Sequence, residues 1–226
     1  IPSGLKNMSL KHSFYRHGRR HIEIHIYISK EDLKIMNTEE LNALKERAYK
    51  TAVEHGFHEE EKSDAYWLGL VMSEAGEAIN ADRKGRHADA VLFNDDLSKM
   101  SFKDSFEAHI KDSVEDEIAD IVIRLLDFAR MKGYTLLISG FSELPSNAII
   151  EKFAENGLAG TFFHLNGVLS DSLEYNTTKA TVGLVINILS DCFDKMTGGS
   201  DCDLWWFVKQ KMKYNELRPK LNGKLY

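Results

Sequence analysis

Proline and cysteine are scarce in this chain of 226 residues, which contains three prolines and two cysteines. So few prolines leave long segments free to form continuous helices, because proline removes a backbone donor and breaks a helix interior. The two thiols, Cys192 and Cys202, are too few for a disulfide framework and lack the Cys-x-x-Cys spacing of zinc sites. We therefore expect reduced cysteines in an intracellular protein.

Long apolar runs are also lacking. The strongest candidate, residues 180–189, is interrupted by Thr181, Gly183 and Asn187, and no signal peptide is visible. An excess of basic residues is lacking too, because 29 Lys and Arg against 35 Asp and Glu give a formal charge of −6. These absences predict a cytoplasmic protein that binds neither membranes nor nucleic acid.

The first 35 residues differ from the rest. They hold four of the nine histidines in a basic setting, and residues 21–28 alternate polar and apolar side chains as a half-buried strand does. We interpret residues 1–35 as an N-terminal extension or leader, extended or disordered, in preference to a histidine metal site. The main domain is then residues 36–226.

Helical periodicity dominates that domain, so the predicted fold class is all-α, an antiparallel helical bundle. A first helix begins at Asn37 or Thr38, a second runs over residues 65–84, and a third runs from Ser113 to Gly133. Two more helices are predicted, one beginning at Thr177 or Thr178 and one at Asp203. Residues 86–105 are interpreted as a polar connection, and residues 138–200 as an insertion that begins with short, glycine-broken pieces up to residue 176.

Glu74 is the anomalous residue of the second helix. On a helical wheel it lies within the apolar stripe, between Val71 and Ala78 on one side and Leu70 on the other. Glu77 lies at the border of the same stripe. Because an ionised carboxylate in an apolar contact face is costly unless it is paired, protonated or bound to a cation, Glu74 indicates a cation partner.

A second acidic pair, Glu117 and Asp120, lies on the third helix. Alone it is typical of a solvated helix face. If the two helices pack antiparallel through their apolar stripes, however, both pairs meet at one seam and require a counter-charge. Carboxylate oxygens without His or Cys favour magnesium, with manganese as the alternative. A di-iron bundle is disfavoured, because it expects Glu-x-x-His and this sequence contains none.

At these residues the chain resembles the MazG-like, all-α nucleoside triphosphate pyrophosphohydrolases. Their Glu-Glu-x-x-Glu and Glu-x-x-Asp motifs are matched by residues 73–77 and 117–120, although Ser73 replaces the first Glu. Residues 211–218 resemble the family's closing helix, and residues 222–226 resemble a His-Gly-Lys-Lys-Tyr ending seen in some members. The resemblance covers residues 40–135 and 203–226.

The resemblance implies magnesium-dependent hydrolysis of a nucleoside triphosphate, a deoxy or non-canonical one, to the monophosphate and pyrophosphate in nucleotide-pool housecleaning. It implies a homodimer or homotetramer. Expected catalytic and metal-binding residues are Glu74, Glu77, Glu117 and Asp120, and either Glu115 or Asp116 is a further candidate for orienting the water. Expected substrate-binding residues are Lys211, Asn215, Arg218, Trp67 and Lys224.

Some of these assignments have ordinary structural alternatives. Lys211, Asn215 and Arg218 share one helix face, which suits phosphate binding but also a solvated helix end. Trp67 either stacks on a base or fills the core. The rival functions are a non-catalytic helical binding or scaffold protein that keeps the fold, and a hydrolase of phosphorylated metabolites other than nucleotides.

Overall fold

The computed structural model describes the backbone of residues 37–136 and 146–223, and the side chains of residues 37–136 and 156–221. Within these ranges every regular element is a helix, so the all-α prediction is confirmed. The elements are α1 (Thr38–Glu54), α2 (Asp64–Arg83), α3 (Ala90–Asp96), α4 (Phe102–His109), α5 (Val114–Met131), α6 (Ser146–Glu174), α7 (Thr178–Thr197), α8 (Leu204–Asn215) and a 3₁₀ turn (Lys220–Gly223).

Helix α5 is the centre of the fold, and 13 of its 18 residues are buried. It packs against α1, α2, α7 and α8, while α6 packs against α7 and α2. Helices α2 and α5 run antiparallel, because Asp64 at the start of α2 pairs with Lys132 just after α5, at 2.9 Å. Glu77, further along α2, lies instead beside Glu117 near the start of α5. This is the packing that brings two i, i+3 pairs to one seam.

Local capping explains where several helices begin. Asn37 forms a full capping box with Glu40 at the start of α1, and Ser63, Ser113 and Asp203 each accept a hydrogen bond from the backbone three residues on. The helix starts predicted at Asn37, Ser113 and Asp203 are confirmed. Thr177 is the N-cap residue of α7 without such a side-chain bond.

Two segments differ from the prediction. Residues 86–105 are not a simple connection, because they include α3 and the start of α4. These helices are too short to be stable alone, and their packing through the buried Phe93 and Phe106 holds them in place. Each helix spans only about two turns, so its apolar repeat is too brief to stand out among the polar residues around it.

The glycine-rich segment after residue 145 differs in part, because α6 consists of two helices joined at a kink and continues through Gly160 and Gly167 instead of breaking into short pieces there. A kink at Gly157, with φ of 63°, divides it. Beyond the kink, Leu158, Phe162, Leu165 and Leu169 are buried at helical spacing. Their burial offsets the helix propensity lost at Gly160 and Gly167, about 1 kcal/mol for each glycine.

Several sequence predictions lie outside the described residues, namely the N-terminal extension 1–35, its strand at residues 21–28 and the tail from residue 224. Both cysteines are free, and Cys192 is buried. None of the helices in the described ranges has the length and apolar character needed to cross a bilayer.

Candidate metal centre and adjoining cleft

Three carboxylates from two helices converge at the α2–α5 seam. Glu74, Glu77 and Glu117 each place an oxygen so that the three atoms lie within 4.8 Å of one another. Glu77 is exposed, whereas Glu74 and Glu117 are only 3% and 4% exposed. The exposed rim and the buried base make a site that an ion can enter from solvent. We call these three residues the carboxylate cluster.

Glu74 has an internal cation partner in Arg124. The Arg124 Nε atom donates to Glu74 Oε1 at 2.6 Å across the helix interface. Burial raises the pKa of Glu74, as does repulsion from Asp120, while Arg124 opposes that rise. The acid that stood out on the helical wheel is therefore paired by the fold itself, and Arg124 fixes its orientation toward the cluster.

Glu117 has no such partner. Its carboxylate makes no hydrogen bond or ion pair with any residue in the described parts of the chain. Burial, followed by repulsion from Asp116, raises the pKa of Glu117 to about 9 despite the nearby Lys211. The interpretation of Glu117 as part of a solvated helix face is therefore wrong. A buried carboxylate that receives no hydrogen bond is suited to binding a cation.

Asp120 lies beside the cluster but is held by α8. Lys211 Nζ contacts Asp120 Oδ2 at 2.9 Å and Asp116 Oδ2 at 2.6 Å, and Asn215 Nδ2 approaches Asp120 Oδ1 at 3.5 Å. Burial works against the charge of Lys211, but Asp116, Asp120 and Glu117 together raise the pKa of Lys211 above its ordinary value. At 4% exposure Lys211 is a fixed counter-charge inside the fold, between α5 and α8.

A second acidic group shares Glu117 with the cluster, and its other members are Asp112 and Asp116. Asp116 already accepts hydrogen bonds at Oδ2 from the Asp112 backbone N–H and from Lys211. Burial raises the pKa of Asp116 to about 6, against the attraction of Lys211. Both bonds are made to Oδ2, and Asp116 Oδ1 is buried without a hydrogen-bond partner, so this group also offers ligand oxygens. We favour the cluster of Glu74, Glu77 and Glu117 because it adjoins the cleft through Glu74.

Glu115, a candidate for orienting water, has a different position. Its carboxylate accepts a hydrogen bond from the Ala88 backbone N–H at 2.8 Å and lies 3.1 Å from His87 Nδ1. Glu115 thus ties the connection between α2 and α3 to the start of α5. It is 2% exposed and is not among the acids that converge at either group.

A cleft adjoins the cluster on the side of Glu74 and Asp120. It encloses about 680 Å³, including space open to solvent, between α1, α5, α8 and Phe57. Its apolar lining comes from Ala48, Ala52, Phe57, Ile123 and Met212, and its polar lining comes from Thr51, His55, Glu74, Asp120, Arg124, Asp127, Asn215 and Arg218. This mixture of an apolar wall with a few convergent polar groups is typical of small-molecule sites.

The expected substrate-binding residues fall in different places. Asn215 and Arg218 line the cleft, whereas Lys211 is buried against Asp116 and Asp120. Trp67 is 6% exposed, stacks on His58 at a centroid distance of 4.8 Å and is not part of the cleft lining. Lys224 lies outside the described residues.

Arg124 and Asp127 line the cleft, and the sequence alone did not single them out. A signal for both was present, because Glu117, Asp120, Arg124 and Asp127 recur at helical spacing on one face of α5. Chemically, the site offers hard oxygen ligands beside an open cleft of mixed polarity. Comparisons with known proteins found no matching family model, curated protein or solved structure, so the function is argued from this geometry and the motifs.

Proposed function

We propose that the chain is a magnesium-dependent pyrophosphohydrolase of the MazG-like all-α type. Its substrate is a nucleoside triphosphate, a deoxy or non-canonical one, and its products are the monophosphate and pyrophosphate. The observation that carries the proposal is the buried Glu117, without a hydrogen bond or ion pair among the described residues, converging with Glu77 and with Glu74, which also lines the cleft. The identification of the substrate as a nucleotide comes from the resemblance of the motifs to the MazG-like family.

The residues present fit a divalent cation. All three ligand candidates offer carboxylate oxygens, which magnesium prefers and for which manganese substitutes. Glu74, Glu77 and Glu117 would hold the ion, with Asp120 adjacent. When bound, the ion would supply positive charge that offsets the phosphate oxygens and the repulsion among the carboxylates.

The chain's own residues do the positioning. Arg124 keeps Glu74 in place, and Lys211 keeps Asp116 and Asp120 in place, so the acids are already oriented before a substrate arrives. In the reaction, water attacks the α-phosphorus in line, the bond from that phosphorus to the α–β bridging oxygen breaks, and pyrophosphate leaves. We assign acceptance of the proton of the attacking water to Asp120, which lines the cleft and lies close enough to Glu74 and Glu117 to raise the pKa of both.

The direct test measures pyrophosphate release from a panel of canonical and modified nucleoside triphosphates with magnesium. We expect release from at least one of them, and a loss of at least 100-fold in the Glu77→Gln variant, since an enzyme depends strongly on its charge-stabilising groups. Glu77 is exposed, so this substitution spares the core. Asp82→Asn is the matched control, an exposed acid on the same helix outside the cluster.

Each other outcome favours a different function. If no nucleotide yields pyrophosphate, the non-catalytic binding or scaffold protein is favoured. If phosphate is released only from phosphorylated metabolites that are not nucleotides, a hydrolase of those metabolites is favoured. Equal activity in Glu77→Gln and Asp82→Asn would contradict the assignment of the cluster.

A further inference from the structure

The lining of the cleft beside the cluster includes acidic and apolar side chains that phosphate binding does not require. Its charged lining is mixed: besides Glu74 and Asp120 it includes Asp127 and Arg218, together with Arg124, which pairs with Glu74. A polyphosphate alone would favour cations only. Five apolar residues also line the cleft, and they would gain from covering an uncharged ring.

Helix α5 gives this cleft a direction. Glu117 lies in its first turn, Arg124 in its middle and Asp127 near its end, on one face. Ten residues separate Glu117 from Asp127, which is about 15 Å along a helix axis. That length is on the scale of an extended nucleotide. A ligand with its phosphates at Glu117 therefore reaches Asp127 with its far end.

Asp127 is held as a hydrogen-bond acceptor at that far end. His58 Nε2 lies 2.8 Å from Asp127 Oδ1, and the His58 ring packs between Tyr49 and Trp67 at 4.9 and 4.8 Å. Within the described residues no group donates to Asp127 Oδ2, which is not among the fully buried, unpartnered atoms. Since Asp127 lines the cleft, this oxygen is available to a ligand donor.

His58 and Trp67 together orient the Asp127 carboxylate. Trp67 stacks on the His58 ring, His58 holds Asp127 Oδ1, and the orientation of Asp127 Oδ2 is thereby set. Such support from a second layer of side chains is what a specific polar contact requires.

We propose that the cleft binds the nucleoside part of the substrate, with the base against Phe57, Ile123 and Met212 and a base N–H donating to Asp127. This inference rests on the proposed function, because it takes the phosphates to lie at the carboxylate cluster. It assigns base selection to Asp127, and it makes His58 a positioning residue that acts through Asp127.

The experiment measures binding of five deoxynucleoside monophosphates (dAMP, dCMP, dGMP, dTMP and dUMP) by calorimetry with magnesium, which requires no turnover. We expect at least one to bind wild-type protein. Ala52→Trp fills the cleft from a half-buried position on α1 and should weaken that binding at least tenfold. Val53→Trp, at the exposed neighbouring position outside the lining, should leave it unchanged.

Asp127→Asn tests the base contact. The amide can donate as well as accept, so the rank order of the five affinities should change, with the preferred base losing about tenfold. A purely structural role would weaken all five alike. His58→Gln should shift the same ratios in the same direction, whereas His58→Phe, which keeps the ring stack but loses the donor, should shift them further.

The results separate this inference from the function on which it rests. If Ala52→Trp abolishes monophosphate binding but no triphosphate yields pyrophosphate, the nucleoside site is supported and the hydrolase function is contradicted. If pyrophosphate is released and Ala52→Trp does not change its rate, the hydrolase function is supported and the nucleoside site is contradicted. The inference is overturned if no monophosphate binds, or if Asp127→Asn keeps all affinity ratios within twofold.

Discussion

At the scale of single residues, the site is a balance between buried acids and two cations, the half-buried Arg124 and the buried Lys211. Arg124 pairs with Glu74, and Lys211 pairs with Asp116 and Asp120, whereas Glu117 forms an ion pair with neither, although the charge of Lys211 acts on it from nearby. Removing one partner of such a buried pair leaves an uncompensated charge, which is far costlier than losing a surface ion pair. Glu117 is therefore the residue whose protonation state responds most to a bound cation.

This imbalance predicts how stability depends on pH without metal. Glu117 has its pKa raised from 4.5 to about 9 in the folded protein. Between those values the unfolded chain has lost the proton that the folded protein keeps, so stability falls as pH rises, by up to about 1.4 kcal/mol per pH unit. Glu117→Gln cannot ionise and should show a shallower fall, and it should be the more stable protein at pH 8.5.

Thermal unfolding in EDTA from pH 5.5 to 8.5 measures this. Asp82→Asn serves as the control, because it removes an exposed acid of α2 outside the cluster and should keep a pH dependence close to that of the wild type. A steeper fall in Glu117→Gln than in wild type would contradict the assignment.

At the scale of elements, the first turn of α5 sets the position of the site. Its N-cap residue Ser113 is 1% exposed and accepts a hydrogen bond from the Asp116 backbone N–H at 3.2 Å. The acids of this turn also lie at the helix N-terminus, where the macrodipole favours negative charge. One capping serine thus fixes the turn that carries Asp116 and Glu117.

We expect Ser113→Ala to lower the free energy of unfolding by about 1 kcal/mol, the usual value for an N-cap, and also to weaken manganese binding severalfold. Ser101→Ala is the matched variant, because Ser101 caps α4 in the same way, with its Oγ 3.1 Å from the Asp104 backbone nitrogen. It should lose similar stability and bind manganese normally. Denaturant unfolding and calorimetry give the two quantities, and an equal loss of manganese affinity in both variants would argue against a local effect.

At the scale of the whole molecule, the carboxylate cluster is built from the two helices that pack most closely in the core. The cluster lies between the two helices α2 and α5, and the cleft adds α1 and α8 to the same region. A ligand that binds only the folded state stabilises it in proportion to its concentration relative to Kd. Binding at this seam should therefore raise the stability of the domain as a unit.

Manganese at 100 times its Kd should add about 2.7 kcal/mol to the free energy of unfolding. Chemical denaturation with manganese and with EDTA measures the difference. The double variant Glu77→Gln/Glu117→Gln should lose nearly all of it, while Asp82→Asn should retain it. Stabilisation that persists in the double variant would mean that the ion binds elsewhere.

The sequence alone determined the all-α class, four helix starts and the choice of Glu74, Glu77 and Glu117 as candidate ligands. These features depend on local periodicity and capping chemistry. It underestimated α3, α4 and α6, whose stability comes from packing contacts such as those of Phe93, Phe106 and Phe162. Where the pattern is short or broken by glycine, propensity alone is a weak guide, since tertiary burial overrides it.

Only the tertiary structure decided what each charged residue does. The spacing of Lys211, Asn215 and Arg218 gave them one shared role, yet Lys211 lies in the core against Asp116 while the other two line the cleft. The helical wheel likewise marked Glu74 as an acid in need of a cation, and the fold provides Arg124 from another helix. Glu117 is then the buried carboxylate of the cluster that has no hydrogen bond or ion pair within the described residues. Periodicity reports which face of a helix a residue occupies, but the partner on the opposing helix, and hence the charge balance, exists only after packing.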